Sequence, residues 1–251
     1  MLQEGNLLKH LTDIFNTDIF KGSHPFNAAT PIPMGVVDNF LPEDIALEMY
    51  SESQSIDDSH WKTFTRNGSH MMETNKMELA PVAFNTLNYF HSSSFLKLLS
   101  AYTGIASLIP DPHLVGAGYS KSFNGDILNV HTDFNWNEQL QLHRVLTLTM
   151  YITPGWQVDW KGALDFYDNK KENIVTTVDT LFNRCVIWQY NRFGYHGYAE
   201  PIECPVDKNR TTFRLFYYTS NSTHLPDDPP HRSLYWIDDI SKIPYDKRTQ
   251  K

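Results

Sequence analysis

Three residues have types and spacing that could do chemistry together: His131, Asp133 and, far downstream, His196. In an extended strand, residues i and i+2 point to the same face. His131-Thr132-Asp133 therefore aims one imidazole and one carboxylate at a single point. A second imidazole, offered by Tyr195-His196-Gly197 from a neighbouring strand, would complete one triangular face of a metal site. Two His and one carboxylate with the opposite face open suit a non-haem Fe(II) centre. The same set with water as fourth ligand suits a Zn-dependent hydrolase. A short His-x-Asp also arises by chance in a chain with 11 His, as a strand-end turn or a surface pair.

The neighbourhood of the motif bears on that choice. His196 follows His131 by 65 residues, enough for several strands to carry the chain back across a sheet. Arg210 comes 14 residues after His196, at the start of an apolar strand, with Thr212 on the same face. A guanidinium there suits a two-pronged, charge-assisted grip on a carboxylate, to which Thr212 adds a hydroxyl. The alternative is a rim arginine in a surface ion pair, worth little. Tyr151 and Thr149 share the polar face of a flanking strand, so Tyr151 can donate to the same anion or serve as a core tyrosine with a wet tip.

The elements that must position these groups follow from periodicity. Leu7, Leu8, Leu11, Ile14 and Phe15 make residues 6–20 an amphipathic helix. Residues 35–40 read as an opening strand. Pro42, Glu43 and Asp44 start a helix with Ile45 and Met49 on its buried side. Residues 51–59 read as a polar link, residues 61–65 as a short strand, and Asn67-Gly68 as a turn. Two more helices fall at 81–90 and 95–102, the latter capped by Ser92–Ser94 and closed by Gly104. From Gly116 onward strands dominate: 127–131, 145–152, 162–167, 174–178, 184–190 and 210–218. Within 145–152, Leu146, Leu148, Met150 and Ile152 face one way and Val145, Thr147, Thr149 and Tyr151 the other, as in a sheet with one side on the core and one lining a polar cavity. The pattern predicts a mainly β chain with N-terminal helices (α+β), closed as a sandwich or jelly roll. It is read as one domain over 1–251: a helix-rich support (1–109), a jelly-roll core (110–220) and a tail (221–251) whose Leu234, Tyr235 and Trp236 dock back.

Composition narrows the class. At 41% hydrophobic and 20% charged, a chain of 251 residues is a folded globular protein. The net charge of −8 gives no electrostatic reason to expect nucleic acid or an anionic membrane surface as partner. No stretch has the length and apolarity of a membrane span, and the opening residues lack a secretory pattern. A cytoplasmic location is the expectation. Cys185 lies in an apolar run, and a pair with Cys204 is left open.

Several motifs in order carry a family resemblance. Gly116-Ala117-Gly118-Tyr119, residues 129–135, residues 151–156, residues 160–164, Tyr195-His196-Gly197 and Arg210-Thr211-Thr212-Phe213 resemble the prolyl 4-hydroxylase-like branch of Fe(II)/2-oxoglutarate-dependent dioxygenases, over roughly 110–220. The resemblance implies a double-stranded β-helix, a cupin-like jelly roll. It implies that His131, Asp133 and His196 bind Fe(II), and that Arg210, helped by Thr212 and Tyr151, holds the distal carboxylate of 2-oxoglutarate. It implies O2 as co-substrate, ascorbate as an accessory reductant, succinate and CO2 as co-products, and a prolyl residue in a protein or peptide as substrate. Two positions depart from the pattern: Ala163 replaces the second glycine of the usual pair, and Tyr119 stands where relatives often have His. Tyr119, Trp136, Trp156 and Trp160 are candidates for the substrate rim, with packing as the alternative fate. His70, His113 and His143 are left outside the ligand set. A small-molecule hydroxylase and a non-catalytic jelly-roll binding module are the remaining readings.

Overall fold

In a computed structural model that describes residues 4–19, 26, 31–220 and 228–235, the chain opens with α1 (Glu4–Ile19). Leu7, Leu11 and Phe15 are buried, with Leu8 and Ile14 packed beside them, so the apolar stripe is spent on the domain itself. Next come β1 (Met34–Val37), α2 (Glu43–Ser55), β2 (Lys62–Arg66), β3 (Ser69–Thr74), α3 (Pro81–Phe90) and α4 (Ser93–Thr103). Ser92 caps α4, its hydroxyl accepting from the Phe95 N–H at 3.3 Å.

Two expectations for this half are corrected. Residues 51–55 are helix, not link. The carboxylate of Glu52 leaves α2 to accept from Val82 N–H (2.7 Å) and Ala83 N–H (3.0 Å), capping α3 from outside, a tertiary use of a polar residue that composition does not reveal. The strand β3 was not expected at all. It is the partner of β2 across Asn67-Gly68, whose φ values of 48° and 80° make the mirror-image turn that suits a hairpin.

The strand-rich half supplies β4 (Ile109–Pro110), β5 (Gly118–Ser122), β6 (Leu128–Thr132), β7 (Trp136–Asn137), β8 (Leu142–Tyr151), β9 (Leu164–Tyr167), β10 (Ile174–Val178), β11 (Arg184–Gln189), β12 (His196–Tyr198), β13 (Arg210–Thr219) and β14 (Leu234–Tyr235). Among the described residues they form two antiparallel sheets. The larger runs β1-β11-β8-β13-β5-β3-β2, with β4 on β13 and β7 on β8; the smaller runs β10-β9-β12-β6-β14. This is the expected jelly-roll arrangement with helices on one side.

The helices cover one face of the large sheet. Leu146, Leu148 and Met150 of β8, Cys185 and Ile187 of β11, and Phe213, Leu215 and Tyr217 of β13 meet Leu87, Phe90, Phe95, Leu99 and Tyr102 in one core. Each such side chain contributes about 1.5–3 kcal/mol on burial. The opposite face of the same strands, carrying Thr147, Thr149, Tyr151, Arg210 and Thr212, looks into a cavity closed by the small sheet.

Strict alternation in β8 holds from Leu146 onward and is broken just before it. Leu146 pairs with Tyr217, but Arg144 pairs with Tyr218, so Val145 is an extra residue. Val145 joins the core beside Leu146 instead of facing the hydroxyls as expected, and Arg144 turns to the cavity. Cys185 and Cys204 are both buried and free. Leu234 and Tyr235 dock on β6 as expected, opposite Thr132 and His131, while Trp236 lies outside the described residues. No helix among the described residues is long and apolar enough to cross a membrane.

Candidate metal centre

Adjacent strands of the small sheet bring the three expected ligands together. His131 is on β6, Asp133 follows its end, and β12 sets His196 directly opposite His131. Gly197 is what lets β12 lie so close: a Cβ there would come within 2.5 Å of the Leu128 carbonyl oxygen. The two imidazole rings are 4.6 Å apart. Each donates its Nδ1–H to a nearby carbonyl, His131 to Asn129 (2.9 Å) and His196 to Gly194 (2.8 Å). That fixes the tautomer and leaves both Nε2 lone pairs facing inward. The Nε2 atoms lie 3.8 and 3.7 Å from the carboxylate oxygens of Asp133, and ligand atoms of all three fall within 4.8 Å of one another. Among the described residues this is the one cluster of its kind.

Burial and charge prepare these groups for a cation. Burial, reinforced by the neighbouring His196, pushes His131 down to about 3, so its imidazole is neutral at neutral pH. Burial alone would raise Asp133, but Arg144, then His196 and His131, outweigh it and hold the carboxyl below its usual range. Two imidazole nitrogens and one anionic oxygen match the donor set of a non-haem Fe(II) site.

From the ligands the cavity, about 230 Å³, extends toward Arg210, which is 6% exposed. Its guanidinium lies over the rings of Tyr151 (4.9 Å) and Tyr198 (4.7 Å), and its Nε donates to Thr180 at 3.3 Å. No carboxylate among the described residues pairs with it. The Tyr151 hydroxyl and the Thr149 hydroxyl are buried without a partner. Burial pushes Tyr151 up to about 12, against the pull of Arg210, so it stays a neutral donor. Thr212 faces the same space, its hydroxyl 2.7 Å from that of Ser120. Native proteins rarely leave a buried cation and two buried hydroxyls unanswered. A dicarboxylate reaching from the metal to Arg210 would answer all three, so the residues fit 2-oxoglutarate.

The rest of the cavity lining is built differently. Phe64, Met71, Phe134, Phe216 and Tyr235 contribute to it, and Arg144 and Arg214 each have a carboxylate partner. Arg214 is bonded to Glu73 and donates from Nε to the Gly116 carbonyl at 2.9 Å. Arg144 donates from Nη2 to Asp133 at 2.8 Å. Tyr235 stacks on His131, ring centroids 5.1 Å apart.

The expected rim residues fare unevenly. Tyr119 is not at the cavity: it sits on the core face of β5, 1% exposed, its hydroxyl donating to the Met49 carbonyl at 2.9 Å. Trp156 packs away from the cavity with Tyr198, Ile202 and Cys204, with Trp160 against its ring, so neither is a rim residue. Trp136 lines a separate groove that shares Phe134 and Ser233 with the metal cavity. His70 pairs with Asp126, His113 belongs to the Asp111 turn, and His143 packs edge-on to Trp136; none joins the ligands. Sequence reasoning missed Glu73, Arg144, Arg214 and Tyr235. For Arg214 a signal existed, since it lies on the face of Arg210 and Thr212; for Arg144 the bulge hid it.

Residues 117–218 match the sequence model of the 2OG-Fe(II) oxygenase superfamily. No curated protein matches the chain by sequence. Among solved structures, a Trichoplax adhaerens prolyl hydroxylase in complex with a hypoxia inducible factor oxygen degradation domain peptide fragment is similar at TM-score 0.57 and 17% identity, over 87% of this chain and 93% of the other. A Phytophthora capsici prolyl 4-hydroxylase gives 0.59 and 15%, over 92% and 70%. A Pseudomonas putida prolyl-4-hydroxylase gives 0.51 and 12%, over 84% and 100%. At these identities the likeness speaks for the fold.

Proposed function

Given a chain that over residues 117–218 is a 2OG-Fe(II) oxygenase, requiring Fe(II), 2-oxoglutarate and O2, we propose that it hydroxylates prolyl residues in a protein or peptide. We further propose that the described elements form one domain, with the N-terminal helices bracing the sheet that carries the site.

In this reading His131, Asp133 and His196 hold the iron, and Arg210 holds the distal carboxylate of 2-oxoglutarate with Tyr151 and Thr212 beside it. Iron and 2-oxoglutarate, when bound, supply the oxidising chemistry: O2 puts one oxygen atom into the substrate C–H and the other into succinate, with loss of CO2. The chain supplies the rest. The Nδ1 contacts to Asn129 and Gly194 hold both imidazoles in place without a side chain that could swing away. Leu164, Trp188 and the two tyrosine rings wall off water, which strengthens the charge contact at Arg210.

The observation that carries the substrate reading is this lining. Its two cations apart from Arg210 already have carboxylate partners, Arg144 with Asp133 and Arg214 with Glu73, and around them stand Phe64, Met71, Phe134, Phe216 and Tyr235. A free amino acid brings a carboxylate and an ammonium into that space, where Arg144, Arg214 and the two carboxylates are already paired with one another. An uncharged pyrrolidine ring within a peptide needs only apolar contact. The fold shared with prolyl hydroxylases agrees with this. Mass spectrometry after incubation with Fe(II), 2-oxoglutarate and a panel of proline-containing peptides tests it. The expected product is heavier by one oxygen on proline; conversion of free amino acids or other metabolites with no peptide product would make the protein a small-molecule hydroxylase.

A further inference from the structure

Among the described residues, Arg144 is the most deeply buried charge that faces the metal cavity, at 1% exposure. Its setting is one-sided. Nη2 donates to Asp133 Oδ2 at 2.8 Å and to the Thr147 hydroxyl. The guanidinium carbon lies 3.7 Å from the ring centre of Phe216 and 4.4 Å from that of Phe134, two rings set edge-to-face against each other. Nε and Nη1 meet no acceptor. Leaving donors unsatisfied in a dry site is costly, so the placement is not explained by the needs of the arginine itself. A strand irregularity is also spent on it, since without the extra residue at Val145 the arginine would face the helical core.

We infer that Arg144 is a positioning residue for the carboxylate ligand, holding Asp133 Oδ2 so that one oxygen alone is free for the metal. This rests on the reading that His131, Asp133 and His196 hold iron. A carboxylate binds a metal through one oxygen or through both. Oδ1 lies 3.8 Å from His131 Nε2 and Oδ2 lies 3.7 Å from His196 Nε2, so nothing in the triad itself selects one oxygen. Arg144 makes the selection, because turning Asp133 to offer both oxygens would break its one charged contact. The position kept open is one that 2-oxoglutarate needs. The two rings serve the same end, giving the guanidinium a cation–π contact with each that favours this one placement.

The inference predicts a split that ordinary core packing would not produce. Removing a cation close to the metal favours metal binding, whereas freeing the second oxygen of Asp133 opposes 2-oxoglutarate. Co(II) binding is followed by absorbance, and 2-oxoglutarate binding to the Co(II)-loaded protein by calorimetry, for wild type, Arg144→Met and Arg144→Lys. Arg144→Met is expected to bind Co(II) as tightly as wild type or more so, yet to bind 2-oxoglutarate roughly 10- to 100-fold more weakly, the scale of one hydrogen bond to a charged group. Arg144→Lys, which keeps one charged donor, should fall between. If Arg144→Met does not fold, the same split at smaller size in Arg144→Lys is required. Unchanged 2-oxoglutarate affinity in a folded variant overturns the inference. So does a parallel loss of both ligands that follows a lowered thermal transition. A wild-type protein that binds neither Co(II) nor 2-oxoglutarate overturns the iron reading itself, a different result.

Discussion

A buried guanidinium with no carboxylate in reach, like that of Arg210, is a demand on the ligand. Arg210→Met should therefore weaken 2-oxoglutarate by about 2–5 kcal/mol, on the scale of truncating one partner of a buried charge pair, and leave Co(II) affinity near wild type; calorimetry on the metal-loaded protein reads both. Tyr151→Phe removes only the orphan hydroxyl, so a rise in the KM for 2-oxoglutarate of roughly tenfold is expected, as for one hydrogen bond to a charged group, with no loss of stability. The titration of His131 gives a pH signature. Its folded-state value, pushed down to about 3 by burial and then by His196, lies below the unfolded value near 6.5. The unfolded chain thus takes up the proton first, and stability present above pH ~6.5 is lost as the pH falls. Urea unfolding of the metal-free protein should show a contribution of about 2 kcal/mol disappearing between about pH 7.5 and 5, and His131→Gln should flatten that slope. At this scale the sequence was legible where residue type and strand period act together, as for His131, Asp133, Tyr151 and Arg210. It was silent for Tyr119, because a tyrosine on a strand whose two faces are both buried gives no sign of which face its ring joins.

Elements decide whether those residues meet. The closeness of β12 and β6 depends on the missing side chain at Gly197, whose Cβ would strike the Leu128 carbonyl at 2.5 Å. Gly197→Ala should displace His196 and cost metal affinity more than it costs the fold; Co(II) titration beside a circular dichroism melt distinguishes the two. Periodicity found most elements because the local and global patterns agree in them: α4 begins and ends where its cap and glycine say, and β10 spans the residues expected. It failed where a partner far along the chain makes the decision. Glu52 extends α2 by serving α3, β3 exists as the partner of β2 and β5, and the extra residue at Val145 is visible only against Tyr217 and Tyr218.

For the molecule as a whole, the segment 228–235 is held against the small sheet by a buried polar knot. Tyr190 donates to Asp228 at 2.5 Å and lies 2.8 Å from His231 Nε2, while Asn135 binds the backbone on both sides, donating to the Pro229 carbonyl (3.0 Å) and accepting from the His231 N–H (2.8 Å). Tyr190→Phe removes the hydroxyl that joins the two side chains. Amide exchange in 228–235 should then accelerate while that of β8 and β13 stays slow, a local loosening without global loss. Near its end this segment becomes β14, which pairs with β6 beside the ligand His131. An extended polypeptide arriving from outside would find the backbone hydrogen-bonding groups of β6 on that flank already engaged. Zipping onto the sheet as one more strand, the least selective way to hold a chain, is thereby closed off beside His131. If the substrate is a peptide, as proposed, recognition is left to shape and side-chain contact along the aromatic lining, so that particular residues are read rather than any extended backbone.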